Sequence, residues 1–190
     1  MKYILYHGTD YDSAKKIQNN SFLIRPNPYH WLGNGIYFYF DKPLAEWWTS
    51  NPTKKFGNIV KRPALVKVVI ECEEKNVLDM RKFDTYVTVA EEFERFFTKI
   101  YIPYHKDTIS EQQVKCLFFD WYFLSNRDIK IIIGDFYSND QPYFSENQRE
   151  FFKHSKLLYG ETQVCLKKDC QNIIIEKEVI ELCQKDLLVN

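Results

Sequence analysis

A histidine, a tyrosine and a glutamate stand beside glycine where the chain enters or leaves predicted strands, although the 190 residues include only six glycines. Gly8 directly follows His7 at the end of a first strand. Gly33 and Gly35 frame the entry to a strand that presents Tyr37, and Gly160 directly precedes Glu161 at the start of another. Glycine at such points lets the backbone turn sharply or lets a ligand lie against the main chain. Strand ends are also where α+β enzymes commonly carry reactive groups. An imidazole, a phenol and a carboxylate at glycine-lined strand ends therefore imply a ligand cleft, while their spacing names no reaction. Metal chemistry has the weaker claim. Cys72, Cys116, Cys165, Cys170 and Cys183 include no C-x-x-C pair. A set of Cys165, Cys170, Cys183 and His154 matches no common zinc spacing. The thiols are expected to be reduced and mostly buried, as in a cytoplasmic protein.

The elements that must position these groups follow from local pattern. Residues 2–6 read as a strand ending at His7-Gly8-Thr9, after which Asp12 or Ser13 caps a short helix with Ala14 and Ile17 facing inward. A loop rich in Pro and Asn, residues 25–30, leads to Gly33-Asn34-Gly35 and a second strand over 36–40. Pro43 takes the first helical position before Ala45, Trp47 and Trp48. Residues 64–71 are predicted to be a strand. Val89, Phe93, Phe96, Phe97 and Ile100 fall at helical spacing, as do Val114, Leu117, Phe118, Trp121 and Tyr122, and both stripes are expected in the core. Residues 129–136 form a short apolar strand around Gly134, and a short helix is expected over 149–156. Residues 162–166 and 173–182 read as a closing pair of strands with a turn near Lys168-Asp169. Strands at both ends with helices between them indicate an α+β fold.

Length and composition bound the class. The chain fits one domain, residues 1–190. Lys+Arg and Asp+Glu both total 26, so no global positive field draws it to nucleic acid or to an anionic membrane, which argues against a dedicated duplex-DNA binder. A local exception is the loop 51–63, with Lys54, Lys55, Lys61 and Arg62 and no acidic residue, which is either solvated or in contact with a phosphate-bearing ligand. No apolar run approaches the ~20 residues of a membrane helix. The first ten residues are too briefly apolar for a signal peptide.

Three segments together resemble the diphtheria-toxin-like and poly(ADP-ribose)-polymerase-like ADP-ribosyltransferases, the class with a His-Tyr-Glu signature. Ile4-Leu5-Tyr6-His7-Gly8-Thr9, with Ala14, Ile17 and Phe22 after it, is similar to the family's first strand, turn and helix. Trp31-Leu32-Gly33-Asn34-Gly35-Ile36-Tyr37-Phe38 is similar to its "G-x-G-I-Y-F" strand, followed by a helix carrying Ala45 and Trp47. Leu157-Leu158-Tyr159-Gly160-Glu161-Thr162-Gln163-Val164 is similar to its "L-L-Y-N-E-Y-x-V" strand. The match runs from Tyr3 to about Ile175 and is poor over residues 77–156, a helical middle insertion. The implied fold is a split β-sheet core with flanking helices.

The resemblance implies that NAD+ is the substrate and that no metal takes part. Cleaving the bond between nicotinamide and ribose passes through an oxocarbenium-like state, so the site must hold the leaving ring and set negative charge near the anomeric carbon. Tyr37 would stack on the nicotinamide, with Trp47 on its other side; Trp48 is the alternative second stacker. His7 would hydrogen-bond an adenosine-ribose hydroxyl, and the Gly8 backbone, with Thr9 beside it, would bind the carboxamide. That contact would account for the missing side chain at position 8. Glu161 would bond the nicotinamide-ribose 2′-hydroxyl and stabilise the oxocarbenium charge. Gln163 shares its face on a strand and would meet the acceptor. Leu44 falls near the point where the family often carries a serine. In an alternative register Gln163 itself takes the catalytic position, which would cripple transfer; the Gly160-Glu161 match favours Glu161.

The function this implies is mono-ADP-ribosylation of a protein or nucleic-acid acceptor, in the manner of a bacterial toxin or defence effector with an antitoxin or regulatory partner. The acceptor would be chosen by loops 51–63 and 138–147. Rival readings are NAD+ glycohydrolysis at the same site and a catalytically inactive ADP-ribose-binding module. An RNA 2′-phosphotransferase shares the His-Gly-Thr turn, but no arginine accompanies the second or third segment here.

Overall fold

The computed structural model describes residues 1–50, 60, 62–101, 110–137, 145–155 and 160–182. Seven strands form one mixed sheet: β1 (Lys2–Asp10), β2 (Gly35–Tyr39), β3 (Pro63–Glu71), β4 (Val77–Asp79), β5 (Ile131–Phe136), β6 (Glu161–Lys167) and β7 (Ile174–Glu181). Their spatial order is β4-β5-β6-β2-β1-β3-β7. Only β4 and β5 run parallel. The helices are α1 (Tyr11–Asn19), α2 (Lys42–Ser50), α3 (Phe83–Phe96), α4 (Glu111–Ser125) and α5 (Glu146–Ser155). This is an α+β fold built on an open seven-stranded sheet.

β1 is longer than expected. It passes through His7-Gly8-Thr9 to Asp10, because β3 offers a partner to every one of its residues, from Lys2↔Glu71 to Asp10↔Pro63. The N-cap of α1 therefore falls on Asp10, whose extended backbone lets its carboxylate accept from the Ser13 amide at 3.0 Å, rather than on Asp12 or Ser13. On its other side β1 pairs with β2 at the single register position Tyr6↔Tyr39. The sheet thus consists of two well-paired parts, β4-β5-β6-β2 and β1-β3-β7, meeting at a narrow seam.

The expected closing pair does not form. β6 lies between β5 and β2, whereas β7 reaches the far edge beside β3, with the 3₁₀ turn Lys168–Ile173 between them. Burial explains the difference. Val164, Cys165, Leu166 and Lys167 are all buried and belong inside a sheet. β7 carries Glu176, Lys177, Glu178 and Glu181, suited to an edge, with Lys67–Glu178 and Arg62–Glu181 ion pairs to β3 and its N-terminal flank.

One face of the sheet carries the main core: Leu5, Ile36, Phe38, Val66, Val68, Ile131, Ile133, Val164 and Leu166, covered by Ala14 and Ile17 of α1 and by Phe22. The other face carries α3 and α4 over Ile132 and Cys165, and α2 over Tyr39 and Leu65. Val89, Phe96, Val114, Phe118 and Tyr122 are buried as their spacing predicts. Leu117 and Phe97 instead remain 38% and 36% exposed. The buried stripe of α4 runs through residues 114, 118 and 122, and position 117 lies on its flank. Cys72, Cys116, Cys165 and Cys170 are buried free thiols. Cys183, most of the basic loop, the 138–144 part of the polar loop, and Leu157, Leu158 and Tyr159 of the third segment lie outside the described residues. No helix among the described residues is long and apolar enough to cross a membrane.

Candidate functional site

The seam between β1 and β2 is bridged by a side chain. Beyond Tyr6↔Tyr39 the ladder stops, and the His7 Nδ1 takes the Tyr37 carbonyl at 2.8 Å. A carbonyl only accepts, so Nδ1 carries the hydrogen and the neutral ring keeps an acceptor lone pair on Nε2. Phe22 and Phe38 fix the ring edge-on, at centroid distances of 5.3 and 5.9 Å. Phe22 is itself pinned through both backbone groups to the Gln171 amide.

Desolvation lowers the His7 pKa, opposed in part by the hydrogen bond to Tyr37. His30 is also lowered, by burial first and against the opposing charge of Asp120. Below pH of about 6.5 the unfolded chain takes up protons at both positions while the folded protein resists, so acid favours unfolding. Stability is accordingly expected to fall as pH drops from 7 towards 5, by up to about 1.4 kcal/mol per pH unit for His7. Urea midpoints measured across that range check this, and a His7→Gln variant should show a shallower slope.

Tyr37, Tyr39 and Tyr6 share one face of the sheet, as do Gln163 and Glu161 of β6. The register sets Tyr39 opposite Gln163 and Tyr37 opposite Cys165. His7 lies on the other side of β1 and reaches the seam from there. Glu161 is four residues along β6 from Cys165, about 13 Å at strand rise. It is half-buried and accepts from Gln163 Nε2 at 3.4 Å, and its neighbour across β5 is Phe136. Carboxylate and amide are thus held as a pair on the face that carries the phenol.

Tyr37 is more embedded than a free stacking ring. Its hydroxyl donates to the Gly33 carbonyl at 2.8 Å and accepts from the Leu32 amide at 2.7 Å. Burial raises its phenol pKa far above the usual range. The His30 ring lies tilted against it at 4.9 Å. Nothing in the sequence singled out His30, whose Nδ1 is buried with no hydrogen-bond partner among the described residues.

Gly8 has a different reason for being glycine than the one expected. A Cβ there would sit 2.6 Å from the Ala45 carbonyl and 3.1 Å from Thr49 Cβ, so the missing side chain admits α2 against β1. Thr49 also donates to the Thr9 carbonyl at 2.8 Å. Trp47, on the same helix, is half-buried, and its ring runs nearly parallel to Trp48 at 6.2 Å. Leu44 is buried with Ala45 against Leu65. Cys165, beneath Tyr37, is buried and its thiol is pushed up to about 11, which leaves it protonated and poorly nucleophilic at neutral pH.

No family model matches the chain, and no solved structure matches it. It is similar to an uncharacterized protein of Methanocaldococcus jannaschii, 38% identical over 81 residues that make up 42% of this chain and 38% of the relative. A chorismate mutase of Trichoderma parareesei is 33% identical over 95 residues, 45% of this chain and 35% of that protein. The chain spans little more than a third of the length of these curated relatives.

Proposed function

We propose that this chain is an NAD+-dependent mono-ADP-ribosyltransferase that moves ADP-ribose from NAD+ to a protein or nucleic-acid acceptor. One observation carries the reading. At the seam of the sheet a neutral imidazole, reaching in from the opposite face, is fixed to the backbone of the tyrosine strand, and the neighbouring strand holds a carboxylate on the tyrosine's face. A sheet divided between β1 and β2 also suits the split core of that class. The partial match to a chorismate mutase covers about a third of that protein.

In the proposed reaction the bond between nicotinamide N1 and ribose C1 breaks, and its electron pair leaves with the neutral ring. The acceptor's nucleophile then bonds to C1 and gives up its proton to solvent water. Glu161 balances the charge that grows on C1, the stage at which fixed negative charge counts most. His7 Nε2 accepts from a ribose hydroxyl, Tyr37 bounds the nicotinamide, and Gln163 stands beside the incoming acceptor.

The test is incubation of the protein with adenine-labelled NAD+ and a cell lysate, followed by protease or nuclease digestion. Label is expected on macromolecules, released by one of the two digestions. Free ADP-ribose with no adduct would replace transfer by glycohydrolysis. Intact NAD+ would end the enzymatic proposal.

A further inference from the structure

The loop that precedes β2 is held from one side by α4. Gln112, Cys116 and Asp120 recur every fourth residue along one edge of this helix, and each engages the loop. Gln112 Nε2 donates to the Tyr29 carbonyl at 3.1 Å, and Cys116 Sγ to the Asn27 carbonyl at 3.4 Å. The Asp120 carboxylate accepts from the Asn34 amide and from Asn34 Nδ2, both at 2.7 Å. Asn34 in turn accepts the Asn27 amide at 2.8 Å. From β6, Lys167 donates to the Leu32 carbonyl at 2.8 Å, with Asp120 Oδ1 3.9 Å away. Lys167 is 1% exposed, a charge kept in the interior only by partners of this kind. Leu32 and Gly33, held between these groups, are the residues whose backbone grips the Tyr37 hydroxyl.

We infer that Asp120, with Lys167, is a positioning residue that fixes loop 27–35 and through it the ring of Tyr37. Its role in nicotinamide binding rests on the NAD+ reading above. The helical insertion is then part of the site's machinery, acting through the loop rather than by touching the substrate. Core packing alone does not require this arrangement. A buried lysine and a carboxylate that accepts twice from Asn34 add nothing to apolar packing, whereas they specify one loop conformation.

Two readouts test it. In Asp120→Ala, backbone hydrogen exchange at Leu32 and Asn34 should rise at least tenfold over wild type. In the same variant KM for NAD+ should rise about five- to tenfold with kcat little changed, the signature of lost binding that is uniform between ground and transition states. A Phe118→Leu variant, cut into the apolar α3–α4 core and leaving the polar contacts with the loop in place, serves as control; it should lower stability and leave KM alone. Asp120→Glu should recover part of the KM. Unchanged exchange at Leu32 and Asn34 would overturn the proposal, and so would an equal KM rise in Phe118→Leu. If wild type fails to bind NAD+, the enzymatic reading falls while the exchange arm still decides the clamp.

Discussion

Replacing Glu161 with glutamine is expected to slow NAD+ turnover by about 10²–10³-fold, the range found when a group aimed at transition-state charge is removed. The amide preserves shape and can still bond a ribose hydroxyl, so NAD+ affinity should stay within a few-fold. What disappears is negative charge at the moment C1 becomes cationic. The fold should tolerate the change, since the Glu161 carboxylate is half-buried and its hydrogen bond is a long one to Gln163. Single-turnover release of nicotinamide, alongside calorimetric binding, separates the two effects. Persistent turnover in Glu161→Gln, with loss in Gln163→Ala, would shift the catalytic position two residues along β6.

A second large effect is expected at Gly33. Its φ is +78°, a left-handed conformation costing an L-residue about 1–2 kcal/mol. A Cβ there would lie 2.6 Å from Asp120 Oδ1, 2.7 Å from Lys167 Nζ and 3.1 Å from Phe119 Cβ. The carboxylate and ammonium are tips of flexible side chains, but their hydrogen bonds to Asn34 and Leu32 leave them little freedom to retreat. Gly33→Ala should therefore cost about 2–5 kcal/mol, combining backbone strain with disturbance of the Lys167–Leu32 and Asp120–Asn34 hydrogen bonds. Gly134→Ala is the matched control: its nearest new contacts are ordinary ones at 3.4 Å and beyond, and its cost should stay under about 1 kcal/mol. Equilibrium urea unfolding reads both, and a Gly33→Ala loss below about 1 kcal/mol would mean that the loop rebuilds without this geometry.

Much of the front of the molecule was legible because local pattern and tertiary demand agree there. β1, α1, β2, α2 and β3 fall within a few residues of the spans that alternation, capping and Pro43 predict. His7-Gly8-Thr9 belongs to a strand and not to a turn for a non-local reason: β3, more than fifty residues on, supplies the ladder. β4 was missed because a three-residue strand beside β5 carries too little periodicity. β6 and β7 look like a hairpin in sequence because proximity along the chain does not reveal which edges are free. At the candidate site, motif and glycine placement lead to His7, Tyr37 and Glu161, and the register sets Tyr37 and Glu161 on one face of the sheet and His7 on the other. The packing role of Gly8 could not be read in this way, since it depends on the depth to which α2 descends on β1. The polar edge of α4 had a signal, Gln112-Cys116-Asp120 at every fourth residue, which the stronger aromatic stripe beside it obscured.

The uneven pairing of β1 has a mechanical meaning. Nine positions tie it to β3 and one ties it to β2, while the apolar layer beneath α1 runs unbroken under both parts of the sheet. The continuous core joins the two parts of the sheet, and between β1 and β2 the backbone ladder contributes one register pair with the His7–Tyr37 bond beside it. A ligand bound across both parts would fasten them to each other and raise the stability of the whole sheet by mass action.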